Sequence, residues 1–184
     1  MDTLSILLLI TGTLFLFFVS RKSLLHPRSH GFYRFFAWEG ILLLVLLNAR
    51  FWIDDPLSVR QIFSWILLTA SLYPVTHGIF LLYFLGKPEQ ISATGTDLVF
   101  EQTTNLVTTG VYKYIRHPLY ASLLYLTWGV YLKEFTWLTS GIAVAVSLFL
   151  FATAKAEERE VAIRFGERYM TYATKTKMFI PYVW

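Results

Sequence analysis

The stretch GVYKYIRHPLY, residues 110–120, is a charged and aromatic island at the mouth of an apolar run. Pro118 suits the first turn of a helix, where a backbone donor would have no intrahelical partner anyway. The amides that follow, together with the positive end of the helix dipole, favour an anionic group such as a carboxylate, and Arg116 and His117 add side-chain donors at the same place. The alternative is purely interfacial: Arg116 snorkels to headgroups, and Tyr112, Tyr114 and Tyr120 form an aromatic belt. A second island, AEEREVAIRFGERYMTY (residues 156–172), opens where another apolar run ends. Glu157 and Glu158 leave that run directly, where an unpaired carboxylate is costly, so at least one of them needs a partner. Further along, Glu160 and Arg164 have the i,i+4 spacing of a helical ion pair, and Gly166 interrupts the helix.

These islands must be positioned by membrane helices. Of 184 residues, 55% are hydrophobic and 18% aromatic, whereas only 15% are charged. Soluble domains carry about 25% charged residues, so the deficit points to a bilayer and to an all-α integral membrane protein. Five apolar runs are long enough to consider as spans: residues 4–19, 35–53, 62–85, 119–132 and 135–154. The fourth, at fourteen residues, must begin inside the preceding motif, tilt little or stop short. Asp2 and the lack of a basic start argue against a cleavable signal peptide. With the amino terminus outside, thirteen of the sixteen basic residues fall on the inner side, as the positive-inside tendency predicts. Both polar islands then share the cytoplasmic face. The chain reads as one membrane domain, with helices over residues 1–85 and a site-building half over residues 86–184.

Other chemistry is thinly represented. There are no cysteines, hence no disulfides or thiolate metal sites. His26 and His30 lie four apart, but Pro27 separates them and no third ligand is evident, so no metal site is expected. The net charge of +4 comes from basic residues beside hydrophobic segments, which suits anionic lipid and gives no nucleic-acid stripe. His77, with Pro74 inside the third run, reads as a hydrogen-bonded residue of the bundle and stays outside the site. The sequence lacks GxGxxG after a strand, GxxxxGK[ST], GxSxG and HExxH, so nucleotide folds and hydrolytic nucleophiles have no support.

The pair NLVTTGVYKYIRHPLYAS (residues 105–122) and EEREVAIRFGERYMTYATKTKMFIP (residues 157–181) resembles the signature of the isoprenylcysteine carboxyl methyltransferase family. Membrane phospholipid N-methyltransferases share its Arg-His-Pro element and paired glutamates. The resemblance implies a helical membrane bundle of about five spans whose carboxy-terminal half wraps S-adenosylmethionine at the cytoplasmic face. Carried onto this chain, it implies backbone contacts from Leu106 and Val107, a pocket wall at Tyr112, and cofactor contacts from His117, Pro118, Tyr120 and Glu157; Arg116 at the helix mouth and Glu158 next to Glu157 join the same expected site. It marks no general acid or base.

The acceptor implied is lipophilic and drawn from the bilayer. Carboxyl methylation of an isoprenylcysteine-like substrate comes first and lipid amine methylation second. One departure bears on this: members acting on prenylated cysteine carry an arginine where this chain has Thr153. A sterol-type reductase using a nicotinamide dinucleotide would need more phosphate-binding cations than Lys113 and Arg116. A non-catalytic membrane protein that kept the pocket is the remaining alternative, and the oligomeric state is left open.

Overall fold

The computed structural model describes residues 2–88, 98 and 101–182; the rest of the polar stretch after residue 88 lies outside them. Among the described residues six α-helices follow in order: α1 (Thr3–Leu24), α2 (His30–Leu47), α3 (Val59–Phe84), α4 (Pro118–Tyr131), α5 (Trp137–Phe165) and α6 (Glu167–Lys175). Short polar residues start four of them. Asp2, Ser29 and Ser58 accept from amides three residues on, and Thr136 and Thr139 form a reciprocal capping box.

Among the described residues four helices, α1, α2, α3 and α5, are long and apolar enough to cross a membrane. On α1, large apolar side chains such as Leu14 and Phe15 stay exposed, as expected of a helix solvated by lipid. The remaining expected span, the fourth, is α4, whose 14 residues reach only about 21 Å against a hydrocarbon core of about 30 Å. It is short because it starts deep. A Cβ on Gly78 of α3 would lie 2.8 Å from Leu119 Cδ1 and 3.4 Å from Pro118 Cγ, and Gly78 sits six residues, about 9 Å, before α3 ends.

Helices α1 and α2, α2 and α5, and α3 and α4 pack antiparallel, whereas α2 and α4 run the same way. The glycines allow α3 and α4 to approach closely, and Ser64 Oγ donates to the Gly129 carbonyl at 2.6 Å. Thr13 on α1 donates to Glu39 on α2 at 2.9 Å, while α2 packs along α5 through Ala37, Ile41, Val146 and Leu150. The end away from the polar islands closes on Lys133. Its buried ammonium donates to Gln61 Oε1 at 2.9 Å and sits 3.5 Å from the Trp65 ring centroid.

Both boundaries of the second span differ from expectation. The second span starts at His30 and ends at Leu47, because the Ser29 cap opens it before the apolar run begins and Asn48 leaves it to donate to the Val130 carbonyl. The fifth apolar run continues past residue 154 as the same helix to Phe165, and Gly166 breaks it there with φ +57, as the sequence predicts.

Candidate functional site

Three segments build the site at the other end. Residues 114–117 lie beside the carboxy-terminal strand-like segment: Lys177 N donates to the Tyr114 carbonyl, Arg116 N to the Lys177 carbonyl and His117 N to the Met178 carbonyl, at 3.0, 2.9 and 3.2 Å. Gly110 takes φ +59 to start the tight turn carrying Tyr112, whose carbonyl accepts from Tyr172 Oη at 2.7 Å. Pro118 then occupies the first turn of α4 with His117 as N-cap, as its ring requires.

The second island meets the first across this junction. Arg116 Nε donates to Glu158 Oε1 at 2.5 Å, Arg116 Nη1 donates to the Thr176 carbonyl, and His117 Nδ1 lies 3.3 Å from Glu157. Burial alone would lower the His117 pKa, but the two glutamates outweigh it and hold the imidazole above its usual value.

Around them is one cavity. Of the nine expected site residues, eight line it: Leu106, Val107, Tyr112, Arg116, His117, Pro118, Tyr120 and Glu157. Glu158 does not line it. Its carboxylate is spent on Arg116 and, at 2.8 Å, on Lys155, with His117 Nε2 at 3.6 Å, too long for a hydrogen bond. Among the described residues, Tyr120 Oη, Tyr169 Oη and His117 Nε2 are buried without hydrogen-bond partners. Native interiors rarely leave such atoms unmet, so three orphaned polar atoms beside one cavity suit a polar ligand. Burial, then Glu157, raises the Tyr112 hydroxyl well above its usual pKa, and burial, then Glu158, raises that of Tyr169. Both stay protonated and able to donate.

Several neighbours escaped the sequence reading. Glu101 and Tyr169 also line the cavity, with Val161 and Phe165 as apolar wall. Glu101 receives Arg34 Nη1 on both carboxylate oxygens, at 2.5 and 2.7 Å, and the amide of Leu98 at 2.8 Å. Burial raises its carboxyl, but Arg34 and the His30 ring pull it down to about 2. The expected Glu160–Arg164 pair gives way to partners on other elements: Glu160 takes the His30 amide at 3.0 Å and its Nδ1 at 2.5 Å, and Arg164 donates to the Glu101 carbonyl at 3.2 Å. Arg34 stands just before the second apolar run, where a basic residue also suits headgroups, so nothing local marked its buried partner. Its identity depends on tertiary contact. His77 stacks on Tyr73 with ring centroids 5.4 Å apart. Thr153 is fully buried and donates to the Phe149 carbonyl at 2.7 Å.

Residues 65–168, more than half of the chain, match the family model described as phospholipid methyltransferase, and the chain belongs to that family. Methanethiol S-methyltransferase 1 of Bradyrhizobium diazoefficiens is 26% identical over 85% of this chain and 55% of its own. Methanethiol S-methyltransferase of Crocosphaera subtropica is 23% identical over 81% of this chain and 55% of its own. Protein-S-isoprenylcysteine O-methyltransferase of Homo sapiens is 30% identical over 44% of this chain and 29% of its own. The chain thus spans about half the length of the first two relatives. No solved structure matches it.

Proposed function

We propose that this chain transfers a methyl group from S-adenosylmethionine to a lipophilic acceptor that reaches the cavity from the bilayer. The observation that carries this reading is the meeting of the two islands: Arg116 on Glu158 at 2.5 Å and His117 near Glu157 at 3.3 Å, beside one cavity. S-adenosylmethionine, when bound, supplies a methyl group on a sulfonium sulfur open to in-line attack. Glu157 offers an anion to a cationic ligand, and the Tyr112, Tyr120 and Tyr169 hydroxyls offer donors. Leu106, Val107 and Pro118 complete the wall. Val161 and Phe165 keep the space dry, which strengthens each polar contact, and alignment of the reacting atoms is the main task left to the protein.

His117→Ala and Glu157→Ala should each weaken S-adenosylmethionine binding by about tenfold, as loss of a charged hydrogen bond does, measured by calorimetry on the purified chain. Parent-like affinity in both variants would remove the site assignment.

For the acceptor, an isoprenylcysteine-like carboxylate is the first choice. It is already an anion and needs no base. A thiol is the second reading, favoured by the two relatives named for methanethiol, which cover over four-fifths of the chain, and by the neutral Thr153 in place of a carboxylate-steering cation. Incubation with labelled methyl donor and native lipid extract separates them: an ester loses its label in base, whereas a thioether or a methylamine keeps it. The site faces the cytoplasm, as the basic excess suggests. In this cysteine-free chain, Asp55→Cys and Arg168→Cys should react with an impermeant thiol reagent from opposite sides, and labelling from one side would refute the orientation.

A further inference from the structure

His30 and Arg34 lie on α2, outside residues 65–168, and yet they build part of the cavity's electrostatics. Both oxygens of Glu101, a cavity-lining residue, face Arg34 Nη1, and His30 Nε2 stands 3.4 Å from one of them. His30 in turn anchors Glu160 of α5. The guanidinium is buried, stacks 4.9 Å from the Trp38 ring, and lies within electrostatic reach of Tyr120 and Glu157, two residues of the cavity. A bare arginine at that place would repel any cation in the cavity.

We propose that Arg34 and Glu101 form a charge-cancelling pair that positions the wall and shields a cationic ligand from the α2 guanidinium, leaving Glu157 to set the charge the ligand meets. The inference rests on the sulfonium-donor reading and adds to it two positioning residues, Arg34 and Glu101. Glu101 has its oxygens committed to protein donors, so it acts through Arg34 and not by contact.

The test compares a sulfonium with its neutral thioether. S-adenosylmethionine and S-adenosylhomocysteine share every group but the methyl and its positive charge, so the ratio of their affinities reads the field and not the packing. Calorimetry on the full chain in nanodiscs should show Glu101→Gln weakening S-adenosylmethionine about tenfold while S-adenosylhomocysteine changes less than about threefold. Arg34→Met should shift the ratio the opposite way, and Arg34→Met with Glu101→Gln should restore that of the parent. A merely structural pair would weaken both ligands alike in each variant, and that result overturns the proposal. Should Glu101→Gln fail to fold, Arg34→Met still decides by the sign of its shift. If the parent binds neither ligand, the donor reading falls and this inference with it; if it binds both and the ratio never moves, only this inference falls.

Discussion

Glu101 shows how one side chain joins stability to the site. Its folded pKa of about 2 lies below the ordinary 4.5, because Arg34 and His30 outweigh the effect of burial. A carboxyl depressed in this way stabilises the fold fully above about pH 4.5, and that contribution is lost as the pH falls towards about 2. The parent should therefore lose thermal stability across this acid window, by on the order of a few kcal/mol. Glu101→Gln should melt lower at neutral pH and approach the parent as acid protonates the carboxyl. Melting curves in detergent from neutral pH downward decide this, and a constant gap between the two proteins would refute it. Residues in the motifs were legible because charge beside Pro118 and paired glutamates at the end of an apolar run are locally anomalous. Arg34 and His30 were not, because a basic residue at the edge of a span also satisfies the positive-inside pattern, and nothing local distinguishes a headgroup contact from a buried ion pair.

The helices were legible from apolar runs, while their ends were set by features that hydropathy does not weigh. Ser29 and Thr136 start helices by capping, and α5 carries its glutamates past residue 154 because Arg116, His30 and His117 compensate them. The short α4 was visible as an anomaly in length; its deep start became clear only through its contact with Gly78. Close approach of α3 and α4 has its own test. A Cβ on Gly129 would lie 2.9 Å from Leu68 Cγ and 3.2 Å from the Leu68 backbone nitrogen, so the helices must part. Gly129→Ala should cost about 1–3 kcal/mol, read as a lower melting temperature. Gly141→Ala, with open space around the new methyl, should be neutral or slightly stabilising, since alanine is the better helix former. Equal effects at both positions would sink the packing account.

Taken together, the described residues form two unlike ends. One holds Lys133 among tryptophans, with Arg60 and Glu134 paired at 2.6 Å, and the other holds the two islands and their ion pairs. Helix α5 links the ends with a fixed length. Trp137, almost wholly exposed, begins it, and Glu157 comes twenty residues later, about 30 Å along the axis. That distance is close to the oily thickness of an ordinary bilayer, so with Trp137 at one edge and Glu157 at the other the helix would work as a gauge. In a thicker membrane the glutamates would be dragged into hydrocarbon or the rod forced upright, loosening the ionic lattice around the cavity. Reconstituted in phosphatidylcholines of increasing chain length, the protein should bind S-adenosylmethionine most tightly where the membrane matches the gauge and less tightly in thicker ones; affinity indifferent to lipid length would show that the rod does not sense it.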